Sequence, residues 1–273
     1  MKYVTFIRHG SVIGNELKQY IGRTDQPLSE KGVSEAKALK EYFDSRAGKY
    51  HHHDGYIFVS PKIRCMQTAD ILFPDEKKEY VRDLSECNFG IFEGRSYDSL
   101  QKDTQYQIWL NSDCKRKIPE GEMLEEFIDR CTNAFISCME NVPDEGYATF
   151  VVHGGTVMSI FSRLLEPHKD FFDTVVDNCT EIKCTYDNGI LKQVKACEKF
   201  YQNKDCKYFP CHETDNVDNF NCLFCYCPLY FMGDKCGGNF KLTATGKKNC
   251  EGCTRPHDME AYDEIISLLK KNM

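Results

Sequence analysis

Residues 3–10 of this chain read Tyr-Val-Thr-Phe-Ile-Arg-His-Gly, an apolar run that ends in two basic side chains. Such a run of β-branched and aromatic residues predicts a buried strand over Tyr3–Ile7. In an open sheet of parallel strands, ligands bind beyond the carboxyl ends of the strands. Arg8 and His9 stand at such an end, so they are the first candidates for a functional site.

A short strand followed by a helix recurs along the first 197 residues. Further strands are predicted at Tyr56–Ser60 and Tyr147–Val152, and an Asn-Gly turn predicts a hairpin of Thr180–Tyr186 with Ile190–Val194. The predicted helices are Ser29–Phe43, Pro61–Phe73 and Thr156–Leu165, with Ser29 and Ser60 as caps. This alternation predicts an α/β protein, a three-layer α/β/α fold with a mostly parallel central sheet.

Polar residues also follow the second and third of these strands. Ser60-Pro61-Lys62-Ile63-Arg64 comes after one, and His153-Gly154-Gly155 comes after the other. With Arg8 and His9, two arginines, two histidines and the first amides of two helices should meet at one edge of the sheet. Guanidinium groups and oriented amides suit the oxygens of a phosphate dianion, so this edge is predicted to bind phosphate.

In chain order, these residues and several others resemble the motifs of the histidine phosphatase superfamily, also called the phosphoglycerate mutase-like family. The matching segments are Arg8-His9-Gly10 with Asn15, Gly22–Ser29 with Gly32, Ser60-Pro61 with Arg64 and Gln67–Ala69, Leu84–Glu86 with Phe89-Gly90 and Glu93-Gly94, Pro119 with Gly121-Glu122, and Val152–Gly155. They span about the first 190 residues in the family's order, which makes the match specific.

The resemblance implies a nucleophile and a general acid. His9 is expected to attack phosphorus and become phosphohistidine, for which its imidazole must be neutral. Glu86 is expected to protonate the leaving oxygen and later to take a proton from water. Glu93 is the alternative acid, although the segment Glu93-Gly94 is more typical of a structural loop.

The resemblance also implies the groups that bind the phosphoryl oxygens. They are Arg8, Asn15, Arg64, His153 and Gly154. No metal or other cofactor is expected for catalysis, because fixed cations and amides replace it. The family usually has Glu-Thr after Arg-His-Gly, where this chain has Ser11-Val12. We therefore expect the loss of one loop contact made by the Thr hydroxyl, with the nucleophile unaffected.

The family contains both phosphatases and mutases, and the compact domain favours a phosphatase. The loop Ile21–Leu28 and the segment Asn88–Gly94 are most similar to those of alpha-ribazole phosphatases, which remove a 5′-phosphate in cobalamin nucleotide-loop assembly. A small-molecule phosphate ester is thus the expected substrate. The alternatives are a phosphoglycerate mutase-like or broad-specificity phosphatase, and an inactive phosphatase fold whose metal-bound tail binds a partner protein.

The composition changes near residue 197, so we predict two domains, 1–197 and 198–273. Eight of the sixteen cysteines crowd into residues 206–253, in a tail too small and loop-rich to be held by a hydrophobic core alone. A helix is predicted at its end from an apolar stripe with helical spacing. The stripe consists of Met259, Tyr262, Ile265, Ile266 and Leu269.

Two Cys-x2-Cys pairs in this tail predict tetrahedral metal binding, about two structural zinc ions per chain. The candidate ligands are Cys206, Cys211, His212, Cys222, Cys225, Cys227, Cys236, Cys250, Cys253 and His257. An iron–sulfur cluster is the main alternative, because thiolates bind both. The tail resembles a cysteine-rich small domain, presumed metal-binding, that accompanies this phosphatase in some anaerobic bacteria.

Charge and hydropathy narrow the range of partners. The net charge is −7 and the pI is about 5.7, and residues 198–273 hold ten basic and eleven acidic side chains. A surface that follows nucleic-acid phosphates should be clearly basic, so a nucleic-acid partner is not expected. No apolar run approaches the roughly 18 residues of a membrane span, and the first residues resemble a strand more than a signal peptide. We therefore expect no membrane partner and a cytoplasmic location.

Overall fold

The computed structural model describes residues 1–45, 55–194, 201–214, 217, 220–258 and 261–271. The chain divides into two compact units, Met1–Lys195 and Ala196–Met273. None of the described helices is long and apolar enough to cross a membrane.

A seven-stranded sheet forms the centre of the N-terminal unit, in the order β3-β2-β4-β1-β6-β7-β5. Its strands are β1 (Lys2–Arg8), β2 (Tyr56–Val59), β3 (Lys78–Tyr80), β4 (Tyr147–Val152), β5 (Leu165–Glu166), β6 (Glu181–Asp187) and β7 (Ile190–Gln193). Strands β1 to β4 are parallel, whereas β6 runs antiparallel to both β1 and β7. The three strands and the hairpin predicted from the sequence are therefore confirmed.

Helices cover both faces of this sheet. They are α1 (Ile13–Glu16), α2 (Glu30–Ser45), α3 (Ile63–Leu72), α4 (Tyr97–Leu100), α5 (Thr104–Leu110), α6 (Leu124–Glu140) and α7 (Gly154–Leu164). Successive residues of a strand point to opposite faces of the sheet. In β1, Phe6 packs in the core beneath α6 and α7, whereas Ile7 packs in the core beneath α2 and α3. The predicted α/β/α architecture is confirmed.

The start of α3 differs from the prediction that Ser60 caps it and Pro61 opens it. The helix begins at Ile63, with Lys62 as the N-cap residue. The Ser60 hydroxyl instead lies 2.7 Å from His153 Nε2, and Asp25 Oδ1 accepts the first helical amide, that of Ile63, at 2.9 Å. The prediction was wrong because a distant carboxylate provides the cap, whereas Ser29 does cap α2, accepting from the Gly32 amide.

The C-terminal unit has little regular structure. Its described residues form a two-stranded ribbon, β8 (Lys241–Leu242) with β9 (Lys248–Asn249), two 3₁₀ helices (Tyr230–Cys236 and Arg255–His257) and the α-helix α8 (Tyr262–Lys271). Its small core joins Leu229 and Cys236 to Ala261 and Ile265. The predicted terminal helix is therefore confirmed from Tyr262 onward, and Met259 lies outside the described residues.

Candidate active site

The carboxyl ends of three parallel strands bring the predicted site residues together. Arg8 is paired with Val152 across β1 and β4, and Val59 is paired with Val151 across β2 and β4. The next residues along these strands are His9, His153 and Ser60, so all three leave the sheet at one edge. The rings of His9 and His153 meet edge to face, with their centroids 5.1 Å apart.

His9 has the tautomer and charge that a nucleophile requires. Its ring is 4% exposed, and Nδ1 lies 2.7 Å from the carbonyl oxygen of Gly10. Because a carbonyl can only accept, Nδ1 carries the proton, and Nε2 keeps its lone pair. Burial, reinforced by the charges of Arg64 and Arg8, lowers the pKa of His9 well below its usual range. The ring is therefore neutral at cellular pH.

The two arginines are held by backbone carbonyls. Arg64 is completely buried and donates to the carbonyls of Gly22 and Thr24, at 3.0 Å each. Arg8 Nη1 donates to the Val176 carbonyl at 2.5 Å. Among the residues that the structure describes, the buried Nε of each arginine has no hydrogen-bond partner. Since such donors are costly to bury unpaired, both are suited to an anionic ligand.

His153 forms the opposite wall of this cluster as the N-cap residue of α7. Its ring is buried against the Ser60 hydroxyl, and the Cys65 sulfur lies 3.5 Å from Nε2. Burial and the nearby charge of Arg64 lower the pKa of His153 well below its usual range. The Gly154 amide follows directly at the helix N-terminus, where backbone donors lack intrahelical partners.

Glu86 has the electrostatic character of a general acid. Its carboxylate accepts from the amide of Cys87 at 2.9 Å and from the amide of Gly155 at 3.0 Å. Burial raises the pKa of Glu86, although these two amides and the charges of Arg64 and Arg8 favour the anion. A carboxyl group whose pKa is raised keeps its proton to higher pH than an ordinary glutamate, as a general acid requires.

Gly155 is required by the position of Glu86. A Cβ atom at Gly155 would lie 2.3 Å from Glu86 Oε1, whereas one at Gly154 would lie 3.5 Å from Arg8 Nε, an ordinary contact. We expect Gly155→Ala to displace the carboxyl group and lower kcat about 10- to 100-fold, as small misplacements of reacting groups do. Gly154→Ala is the matched comparison, with a smaller loss. Equal kcat values for the two variants would contradict the assignment of Glu86.

Two residues around the nucleophile, Asn178 and Glu35, are not among the residues predicted from the sequence. Asn178 donates to the carbonyl of His9 at 2.9 Å and lies 3.4 Å from Asn15 Oδ1, while the Asn15 oxygen accepts from the Val12 amide. Glu35 accepts from both the amide and the hydroxyl of Ser11. Asn178 is distant from His9 in the sequence, and Glu35 lies on helix α2. No local motif indicates either residue as a partner of this loop.

Glu93 organises a loop. Its carboxylate accepts from the amides of Gly22, Arg23 and Thr24 and from the Thr24 hydroxyl. Burial alone would raise its pKa, but these donors, the Thr24 hydroxyl foremost, hold the pKa of Glu93 below its usual range. Since the carbonyls of the same loop hold Arg64, Glu93 acts on the site through that arginine.

Two cavities adjoin the cluster and share Glu86 and Glu122 in their walls. The polar cleft, of about 390 Å³, is lined by charged residues that include Arg23, Lys62, Arg82 and Arg130. The aromatic cavity, of about 310 Å³, is lined by Tyr20, Phe89, Trp109, Met158, Phe171 and Phe172, among others. The site can therefore accept a phosphate ester whose organic part is large and apolar.

Seven of the ten predicted metal ligands of the C-terminal unit fall into two groups. The donor atoms of Cys211, His212 and His257 all lie within 4.8 Å of one another. Four other cysteines line one small cavity, namely Cys227, Cys236, Cys250 and Cys253. Of the remaining candidates, Cys222 and Cys225 form one knuckle, since the Cys225 amide donates to the Cys222 carbonyl. The Cys206 carbonyl accepts from the Phe209 amide in the turn before Cys211.

Comparison with known proteins identifies the family of each part of the chain. Residues 4–197 match the family model of the histidine phosphatase superfamily (branch 1). The chain belongs to this superfamily, as its motifs suggested. Residues 197–273 match the model of a cysteine-rich small domain.

The individual proteins that the chain resembles carry the names of two different activities. A protein named "Probable phosphoglycerate mutase GpmB", from Yersinia pestis (strain Pestoides F), is 31% identical over 169 residues, covering 60% of this chain and 75% of the relative. The alpha-ribazole phosphatase from Shigella flexneri has the same fold, with a TM-score of 0.61 and 23% identity, covering 70% of this chain and 94% of that one. Rv3214 from Mycobacterium tuberculosis matches with a TM-score of 0.58 and 19% identity, covering 71% and 95%.

Proposed function

We propose that this chain is a phosphomonoester hydrolase that works through phosphohistidine, with His9 as the nucleophile. The observation that carries the proposal is the state of His9. It is buried, neutral and fixed by Gly10, with Nε2 as the lone-pair atom. Two arginines lie near it, and the Nε of each has no hydrogen-bond partner among the described residues. A neutral nucleophile among fixed positive charges is the arrangement that phosphoryl transfer to histidine needs.

In the first step, the bond between His9 Nε2 and phosphorus forms while the bond from phosphorus to the leaving oxygen breaks. The proton of the Glu86 carboxyl group moves to that oxygen, so the product leaves as an alcohol. Arg8, Arg64, His153, Asn15 and the Gly154 amide bind the phosphoryl oxygens. No metal ion is needed in this proposal, because these donors balance the transition-state charge.

In the second step, water attacks the phosphorus of phosphohistidine. Glu86, now a carboxylate, takes the proton of the water, and the nitrogen–phosphorus bond breaks to give inorganic phosphate and neutral His9. The raised pKa of Glu86 supports both roles, since the group must donate in one step and accept in the next.

The aromatic cavity beside Glu86 favours a substrate with an uncharged ring system. Alpha-ribazole 5′-phosphate fits this description, since it is a ribose phosphate that carries an aromatic base. We therefore propose alpha-ribazole 5′-phosphate, or the corresponding cobalamin 5′-phosphate, as the substrate. A phosphoglycerate is a short acid with nothing to fill the cavity, but the 31% identity to a protein named as a mutase makes mutase activity the second candidate.

A panel of phosphate esters tests the proposal. Purified protein should hydrolyse alpha-ribazole 5′-phosphate with a higher kcat/KM than 3-phosphoglycerate, and should release inorganic phosphate. If mutase activity on phosphoglycerate dominates, the cobalamin role is wrong while the phosphohistidine chemistry stands. If no ester is hydrolysed and no phosphoenzyme forms, the fold is an inactive one.

Phe172 tests the role of the aromatic cavity, because it lines that cavity and is 58% exposed. We expect Phe172→Ala to raise KM for alpha-ribazole 5′-phosphate roughly tenfold, the effect of losing part of one aromatic contact. Its KM for a small aliphatic phosphate should stay the same. Tyr80→Ala, at an exposed tyrosine on strand β3, is the matched control. An equal rise for both substrates would show that Phe172 does not contact the base.

Structural zinc in the C-terminal unit, about two ions per chain, completes the proposal. The support is the chemistry of the residues, eight cysteines and two histidines within residues 206–257. Zinc held by thiolates would fix a unit whose core is small, and it would take no part in the reaction at His9. Cysteines that remain thiols or thiolates fit a reducing compartment, which supports the cytoplasm as the location.

A further inference from the structure

Cys211, His212 and His257 already have the spacing of a metal site. Cys211 Sγ lies 3.3 Å from His212 Nδ1 and 3.8 Å from His257 Nε2. The zinc bond lengths to sulfur and to imidazole nitrogen imply a sulfur–nitrogen separation of about 3.6 Å in a tetrahedral site. The two observed distances lie on either side of this value, and the three donor atoms all lie within 4.8 Å of one another, so the cluster has about the size of a metal site.

The contacts of His257 are those of a metal-binding histidine. Its ring is 3% exposed, and Nδ1 lies 2.8 Å from the carbonyl oxygen of Asn221. Since the carbonyl accepts, Nδ1 carries the proton and Nε2 is the free lone pair, on the side of the Cys211 sulfur. Ligating histidines commonly donate their second nitrogen to a backbone carbonyl in this way, which fixes the ring.

The knuckle of Cys222 and Cys225 is the candidate source of a fourth ligand for this site. The Asn221 amide donates to the His257 carbonyl at 2.7 Å, so Asn221 and His257 are bonded in both directions. Cys222 follows Asn221 directly and begins the turn to Cys225. A thiolate from this knuckle would complete a set of two sulfurs and two nitrogens.

The second group is different because all its donors are sulfur. Cys227, Cys236, Cys250 and Cys253 line a cavity of about 20 Å³, which has room for about one water-sized particle. The Cys236 sulfur accepts from the Gly238 amide at 3.5 Å and from Lys248 Nζ at 3.1 Å. The Arg255 guanidinium donates to the Cys236 carbonyl. Four thiolates around a divalent ion leave a net charge of about −2, and Lys248 compensates part of it, whereas Arg255 is also paired with Glu264.

We propose that the C-terminal unit holds two metal ions in sites of different chemistry: a sulfur–nitrogen site built on Cys211, His212 and His257, and a sulfur-only site built on Cys227, Cys236, Cys250 and Cys253. This division rests on the structural zinc proposed above and assigns its ligands. It also makes the two ions distinguishable, because cobalt(II) bound to four thiolates has different ligand-field and charge-transfer bands from cobalt(II) bound to two thiolates and two imidazoles.

Metal analysis of the full-length chain tests the division. The unaltered protein should hold two zinc ions, and His257→Ala and Cys250→Ser should each lose one of them. His168→Ala, at an exposed histidine of the other unit, is the matched control and should keep both. His257→Ala that still holds two ions would overturn the assignment of His257.

Replacing one ligating residue with another tests the division even if loss of an ion unfolds the whole unit. His257→Cys should keep two ions, and its cobalt(II) form should gain the charge-transfer absorption of one more thiolate. Cobalt(II) spectra identical to those of the unaltered protein would overturn the division. A chain that holds iron and sulfide instead, or no metal at all, would contradict the zinc proposal itself.

Discussion

Replacing His9 with alanine is expected to abolish turnover and phosphoenzyme formation. Loss of a covalent nucleophile lowers kcat by roughly 10⁴- to 10⁶-fold. The other histidine of the site, His153, is less suited to attack, because its Nε2 lies 2.7 Å from the Ser60 hydroxyl. The measurement is a rapid quench of labelled substrate in alkaline denaturant, followed by detection of a phosphoryl group on the protein that is stable in base and labile in acid.

His168→Ala is the control for the His9 variant, since this exposed histidine should leave both turnover and labelling unchanged. Thermal unfolding of His9→Ala should confirm that the domain remains folded. An acid-labile label that persists on the His9→Ala protein would exclude His9 as the nucleophile.

The second large effect is expected for Glu86→Gln, which removes the proton but keeps the shape of the side chain. General acid catalysis contributes about 10²- to 10⁴-fold, so kcat on alkyl phosphates should fall by that factor. Aryl phosphates have better leaving groups and need less protonation, and their loss should be smaller. Equal losses of kcat on both classes of phosphate would mean that Glu86 is not the general acid. Glu93 is poorly suited to that role, because its pKa is lowered and its carboxylate already accepts several hydrogen bonds.

The same pair of proteins gives a pH test. Because the pKa of Glu86 is raised, kcat/KM for an alkyl phosphate should fall as the pH rises through that value and the acid loses its proton. Glu86→Gln should lack this alkaline limb. His9 adds no limb in the neutral range, since its pKa is lowered and the ring stays neutral.

The sheet and the phosphate cluster were predictable from sequence because their signals are local. The sequence alone shows a run of strand-forming residues followed by Arg8-His9, and a second such run followed by His153. The start of α3 was not, because its cap is Asp25, a residue of a separate loop. The partners of the nucleophile's loop, Glu35 and Asn178, likewise come from distant parts of the chain.

The division of the cysteines could not be predicted for a related reason. Spacing identifies the knuckles at Cys222 and Cys250, but it does not indicate which distant residues complete each site. That depends on the backbone pairing of Asn221 with His257, and on the fold that brings Cys227 and Cys236 to the same cavity.

The register of strand β1 against β4 fixes the positions of both its core side chains and His9. Phe6 belongs to one core, Ile7 to the other, and His9 follows two residues later. A slip of one residue against β4 would turn each side chain to the wrong face and would also move the imidazole out of reach of Arg64. Molecules with the wrong register would thus be inactive. The specific activity of a refolded sample should therefore be proportional to the fraction of molecules with correct pairing of β1 and β4, even where spectroscopy shows an unchanged content of secondary structure.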